Sequence, residues 1–232
     1  MTSATPRRGL LSLVERRPKL TLLMAVLVGL AATAIFQNLP REGRKLALTP
    51  VVETVLEDPG SPRAGAADPD VTIVVFTDYQ CSVCKATAPA LMQLLADDKK
   101  VQVIFKDWPI LGEASTLAAR TALAAHRQGK YLAFHSALMA APTRLDADHI
   151  RRIALSVGID VDQLAANEKT YAAEIDAQLT RHANQAFSLG LRGTPSYLVG
   201  PHLIEGGLNE ARLAQAVARA RASGPPRAPT AP

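Results

Sequence analysis

Two cysteines, Cys81 and Cys84, are all the chain contains, and they stand three residues apart in Phe76-Thr77-Asp78-Tyr79-Gln80-Cys81-Ser82-Val83-Cys84-Lys85. An apolar run, Val71 to Phe76, precedes them and a helical pattern follows, which is the usual setting of a redox-active dithiol. A helix N-terminus carries partial positive charge and unpaired N–H groups, so it favours a thiolate at its first residue. Cys81 therefore reads as the low-pKa nucleophile, and Cys84, one turn deeper, as the thiol that reaches the same sulfur. Other uses of the pair compete with this one. A structural zinc site needs about four protein ligands. The chain has no second Cys pair, and His126, His135, His149, His182 and His202 show no close ligand spacing, so no metal site is expected. Two inert buried cysteines fit the helix-start context poorly.

The elements that must position the dithiol follow from periodicity. Val71 to Thr77 is a continuous β-branched run, as expected of a strand buried on both faces. From Ser82 to about Ala96 the pattern is helical, with Ala86, Ala90, Leu91, Leu94 and Leu95 recurring, and Pro89 predicts a kink. Val101 to Phe105 is the next strand, so the three form a βαβ unit with parallel strands. Segments around 113–129, 130–140, 147–157 and 168–189 are Ala/Leu-rich and helical, with Gly158 and Gly190 as terminators. Gly193-Thr194-Pro195 then leads into a hairpin of Ser196 to Val199 and Leu203-Ile204, and a last helix covers about 209–221. Upstream, Val51 to Leu56 reads as a short edge strand and Asp58 to Gly65 as a loop with two prolines. The tail from Ser223 to Pro232 is Pro-rich and expected to be disordered.

Of 232 residues, 48% are hydrophobic and 4% aromatic, enough for one good-sized domain with an aliphatic core. The net charge of +5 is not a nucleic-acid signal. Residues 1–45 hold eight Lys/Arg and two Glu, whereas the rest holds 18 basic and 19 acidic side chains. The body is neutral, and no basic patch for nucleic acid is expected. Arg7, Arg8, Arg16, Arg17 and Lys19 precede the seventeen-residue apolar run Leu20 to Phe36. At ~1.5 Å per residue this is just long enough to cross a bilayer with flanking help, with the N-terminus cytoplasmic and the remainder exported. Two fates stay open: an inner-membrane anchor at residues 20–36, or release by cleavage near Ala34 in the small-x-small site Ala32-Thr33-Ala34. Either places the domain in a compartment that permits disulfides. The expected layout is an anchor or signal segment with linker over 1–45, one domain over 46–222 and the tail over 223–232.

From about Val51 to Ala222 the order of elements and the motif residues resemble the DsbA-type thiol:disulfide oxidoreductases. The resemblance is specific at Asp78 to Lys85, at Lys106-Asp107-Trp108-Pro109-Ile110-Leu111-Gly112 and at Gly193-Thr194-Pro195. Pro89, five residues after Cys84, is a further match. It implies an α/β, thioredoxin-like fold of βαβ and ββα halves with an inserted α-helical subdomain at about 111–190. It also implies a cis Pro195 beside the dithiol and a Thr194 whose backbone pairs with bound peptide. Read alone, Pro195 would equally open an edge strand. Two positions depart from the family pattern. Where relatives often bury an acid six residues before the nucleophile, this chain has Val75, leaving Asp78, Lys85 or Lys106 as weak candidates to handle the Cys84 proton, each more often a solvated charge. Where strong oxidases have Pro-His between the cysteines, this chain has Ser82-Val83, which predicts a less depressed Cys81 pKa and a less oxidising disulfide.

The resemblance implies an exported enzyme of the bacterial periplasm or cell envelope with no bound cofactor. Its expected activity is disulfide exchange with cysteine-containing exported or unfolded proteins, in the oxidase direction. A DsbB-like membrane redox partner would reset the dithiol. The competing functions are a reductase or isomerase, a copper(I) metallochaperone using the two thiolates, and a non-catalytic binding module.

Overall fold

The computed structural model describes residues 18–38, 43–142 and 144–224. The chain divides into two compact units, Met1–Pro40 and Arg41–Pro232. The first unit contributes one described helix, α1 (Pro18–Asn38). Among the described residues no helix is long and apolar enough to cross a membrane. The arginines of the leader and the tail from residue 225 lie outside the described residues.

The second unit is built on a six-stranded sheet in the order β1-β6-β5-β3-β4-β2. The strands are β1 (Arg44–Lys45), β2 (Arg63–Gly65), β3 (Val71–Thr77), β4 (Val101–Asp107), β5 (Ser196–Val199) and β6 (His202–Glu205). Among the described strands only β3 and β4 run parallel, with Val71 opposite Val101 and Thr77 opposite Asp107. They are joined by α3 (Ser82–Asp97), the crossover of the expected βαβ unit. Helix α3 continues through Pro89 as a single element of 16 residues. Strands β5 and β6 form the expected hairpin and α9 (Glu210–Ala222) completes the ββα half.

Between β4 and β5 come α4 (Glu113–His126), α5 (Tyr131–Ala140), α6 (Ala147–Ser156), α7 (Val161–Thr170) and α8 (Ala172–Ser188). The helix expected over 168–189 is interrupted at Tyr171, which caps α7 and starts α8. Helix α7 starts on Asp160, whose carboxylate accepts from the Asp162 and Gln163 N–H groups. Gly158 and Gly190 follow their helices at φ +72° and +75°, as helix-ending glycines do.

Residues 51–56, expected as an edge strand, form the middle of helix α2 (Pro50–Glu57) instead. Thr49 caps it, accepting from the Val52 N–H at 3.4 Å, and Pro50 fits the first turn, where its missing N–H costs nothing. Val52 and Val55, three apart, bury one helical face. The loop expected over 58–65 ends in β2, which pairs antiparallel with β4.

Alternation along the strands divides the core into two layers. Val71, Ile73, Val75, Val101, Val103 and Phe105 face α3, α9 and the inserted helices, in one cluster with both cysteines. Val74, Phe76, Ile104 and Leu198 face the other way, onto Val52, Val55 and Ala186. The dithiol thus rests on a packed aliphatic layer at the C-terminal end of the parallel pair.

Candidate functional site

The turn from β3 into α3 places both sulfurs. Cys81 is the N-cap of α3, with an extended backbone, and its Sγ accepts from the Cys84 N–H at 3.2 Å. The Cys81 N–H is held by the Asp78 carbonyl at 3.1 Å. Both cysteines are free thiols, and Cys81 is 8% exposed against 2% for Cys84. Both residues are buried, Cys81 less completely than Cys84.

The sequence-distant loop arrives from the other side. The Thr194–Pro195 peptide is cis, and the Cys81 thiol donates to the Thr194 carbonyl at 3.4 Å. The Gly206 N–H donates to the Pro195 carbonyl at 2.8 Å, which ties this loop to the end of β6. All four residues singled out from the sequence, Cys81, Cys84, Thr194 and Pro195, thus meet in one place.

The electrostatics of the two thiols diverge. The Cys81 pKa falls from 9.0 to about 6, chiefly because the Cys84 thiol donates to its sulfur. Partial burial works against this, while the Cys84 and Val83 backbone N–H groups and the Thr194 side chain add to it. The Cys84 pKa is pushed far up, first because its proton is the one shared with Cys81 and second by burial. Desolvation penalises a thiolate and a donor stabilises it, so one thiol is prepared to ionise and the other to keep its proton.

The three charges considered for proton handling are all occupied elsewhere. Asp78 is not a solvated charge but 1% exposed. Its carboxylate accepts from the N–H groups of Gln80 (2.7 Å), Ile110 (2.8 Å) and Leu111 (3.0 Å) and from the Ser115 hydroxyl (2.6 Å). It is a brace between the cysteine turn and the loop after β4. Lys106 is likewise buried, on the opposite face of the sheet, donating to Asp58 at 2.7 Å and Ser61 at 2.9 Å. The Lys85 ammonium donates to the Ala141 carbonyl at 2.9 Å. Beneath the dithiol Val75 remains, buried and apolar.

Asp107 is the polar residue of this region that sequence reasoning passed over. It ends β4, accepts from the Tyr131 hydroxyl at 2.9 Å, and leaves its second carboxylate oxygen buried without a partner. Burial raises its pKa from 3.8 to about 7. Nearby, the Tyr79 hydroxyl lies 2.9 Å from His135 Nδ1, and burial holds that imidazole neutral. The signal was present: residues 101, 103, 105 and 107 share one face of a strand, which places Asp107 on the core side. Among the described residues no group of three or more His, Cys, Asp or Glu side chains is placed to hold a metal ion.

Comparison with known proteins agrees with this geometry. Residues 72–218 match the model of the DSBA-like thioredoxin domain. A thioredoxin-like oxidoreductase from Silicibacter pomeroyi DSS-3 is 39% identical, with a TM-score of 0.70, over 73% of this chain and 97% of that one. The thiol-disulfide exchange protein alpha-DsbA2 from Wolbachia pipientis is 32% identical, with a TM-score of 0.69, over 72% of this chain and 90% of that one. Among curated sequences, the Na(+)/H(+) antiporter NhaA 3 of Salinispora tropica is 27% identical over 161 residues, which are 68% of this chain. The match spans only 24% of that antiporter's length. With its family match covering well over half of the sequence, and with a Cys-x-x-Cys helix cap facing a cis-proline loop, the chain belongs to the DSBA-like thioredoxin family of thiol:disulfide oxidoreductases.

Proposed function

We propose that the chain is an exported protein thiol:disulfide oxidoreductase that works in the oxidase direction. The observation that carries the reading is the opposed character of the two thiols. Cys81 is the less buried of the two and acidified to about 6, whereas Cys84 is more deeply buried and kept protonated. In the oxidising direction, a substrate thiolate attacks Cys81 Sγ of the Cys81–Cys84 disulfide. The S–S bond breaks, Cys84 leaves with the electron pair and takes up a proton. A second substrate thiolate then attacks the substrate sulfur of the mixed disulfide, releasing Cys81 as a thiolate and leaving the enzyme reduced by two electrons. Thr194 and Pro195 would receive the substrate backbone beside Cys81.

Thiolate stability supports that direction. An acidified Cys81 favours the dithiol form over the disulfide, which makes the disulfide the stronger oxidant. Reference thiols of this superfamily titrate at about 7 in a reductase and about 3.5 in a strong oxidase. A Cys81 near 6 predicts a potential between about −270 and −120 mV, the values of those two extremes. The basic leader ahead of the apolar run supports export, and a DsbB-like membrane protein would reoxidise the dithiol.

The test is a redox titration of the Cys81–Cys84 pair, combined with oxidation of a reduced, unfolded model protein. An intermediate potential with transfer of disulfides supports an oxidase. A potential at or below about −270 mV with insulin reduction would assign a reductase. Stoichiometric copper(I) binding without exchange would assign a metallochaperone.

A further inference from the structure

Beside Cys81 the surface opens into a cavity of about 400 Å³ lined by Gln80, Ser82, Lys85, Leu111, Pro142 and Arg144. Gln80 and Ser82 flank the reactive sulfur in sequence. A polypeptide that brings its cysteine to Cys81 from this side therefore lays its neighbouring residues here.

The cavity has a definite sign. Its two ionisable lining residues, Lys85 and Arg144, are both basic. Two of the acids nearby in sequence are engaged elsewhere. Asp78 is closed off beneath its four donors, and Asp146 accepts from the His149 N–H at the start of α6. Arg144 is exposed, and no ion pair reaches it among the described residues. The first turn of α3, at Ser82, adds the partial positive charge of its N–H groups. Concave surfaces lined by one sign of charge concentrate the potential they make.

The walls are also braced. Lys85 Nζ donates to the Ala141 carbonyl at 2.9 Å, and Gln80 Nε2 to the Leu145 carbonyl at 3.3 Å. These two bonds tie Ala141 and Leu145, on either side of Pro142 and Arg144, to the start of α3 and the cysteine turn. Leu111 and Pro142 supply apolar surface on which the methylenes of a longer side chain can lie.

We propose that this cavity is a specificity subsite for an acidic side chain close to the substrate's reacting cysteine, with Arg144 as the pairing cation and Lys85 as a second positive charge in the wall. The proposal rests on the exchange reading above and names the substrate class it favours: protein segments in which Asp or Glu neighbours the cysteine. The subsite lies on the helix side of Cys81, apart from the backbone-docking loop at Thr194 and Pro195.

The oxidised full-length protein is mixed with each of three reduced peptides that differ only in carrying Glu, Gln or Lys beside their single cysteine. In each reaction the peptide thiolate attacks Cys81 Sγ, the Cys81–Cys84 bond breaks, and Cys84 takes the electron pair and a proton. A neighbouring charge also alters the peptide's own thiol. The readout is therefore the Glu-to-Lys ratio of second-order rates, compared between wild type and Arg144→Gln so that the peptide chemistry cancels. The expected result is a ratio lowered about two- to fivefold in Arg144→Gln, the size of one partly exposed ion pair. Arg144→Glu should lower it further, and high salt should shrink the wild-type ratio. Exchange that proceeds with the same ratio in all three proteins overturns the subsite and leaves the exchange reading standing. Failure of wild type to react with any of the peptides overturns both.

Discussion

Cys84→Ala should raise the Cys81 pKa by an amount the structure bounds. Residue 84 stabilises the Cys81 thiolate twice, through its thiol and through its backbone N–H at 3.2 Å. The substitution deletes the first donor and keeps the second. A hydrogen bond to a charged group is worth about 1.5–3 kcal/mol, and one pKa unit corresponds to about 1.4 kcal/mol. The Cys81 pKa should therefore climb by about one to two units from its value of about 6. At pH 7 the thiolate fraction would fall from about nine-tenths to about a half or below. Thiolate ultraviolet absorbance, or alkylation rate against pH, reads this directly. Cys84→Ser should move less, because its hydroxyl still donates. A wild-type Cys81 titrating at the ordinary ~8.5, or one unmoved by Cys84→Ala, would refute the reasoning. In the second case the helix amides alone would carry the shift.

Three other buried groups, the Asp58–Lys106 pair and Asp107, give stability predictions whose pH dependence has a definite sign. Asp58→Asn leaves the Lys106 ammonium, fully buried in its ion pair at 2.7 Å, without a counter-charge. It should cost about 3–5 kcal/mol in urea unfolding at pH 7, with a loss below about 1 kcal/mol counting against a charged Lys106. Burial already lowers the Lys106 pKa to about 8 with Asp58 present, so the variant should recover stability as alkali deprotonates the amine. In wild type, Asp58 is the complementary case. Burial opposes its ionisation, but the Lys106 hydrogen bond and charge prevail and hold it at about 2. Its contribution is present above its unfolded pKa of 3.8 and is lost as pH falls through about 2. Asp107 has the opposite sign, because burial raises it to about 7. The folded state then holds a proton that the unfolded state releases, so wild-type stability should decline between pH ~4 and ~7. Asp107→Asn should remove that decline, and an identical slope in the variant would show that Asp107 is ionised in the fold.

What could be read from the sequence depended on whether the determinants were local. Cys81, Cys84 and the start of α3 share a single turn, and the β-branched run over 71–77 announces its strand. Thr194 and Pro195 stand 113 residues or more from Cys81 in sequence, and only the resemblance brought them to the site. Helix α2 stands where a strand is expected because Val51, Val52 and Val55 favour a strand by residue type. Thr49 and Pro50, its cap and first turn, were the stronger local signal. Lys106 and Asp58 are 48 residues apart, and a lysine in a strand shows no counter-ion until the chain folds. The burial of Asp78 is hidden from the sequence for the same reason. Three of its four donors come from residues 110–115, across the β3–β4 crossover.

The central claim is that Cys81 forms the mixed disulfide with substrate and that Cys84 is its buried partner, leaving thiol in the oxidising direction and resolving thiol in the reducing one. Single-cysteine variants separate the two roles. Each is incubated with a protein substrate containing a disulfide, and the products are resolved by mass spectrometry without reductant. The account predicts that Cys84→Ser accumulates a stable adduct through Cys81, while Cys81→Ser, left with the buried high-pKa thiol, accumulates essentially none. Equal adducts from both variants, or an adduct formed only through Cys84, would contradict it.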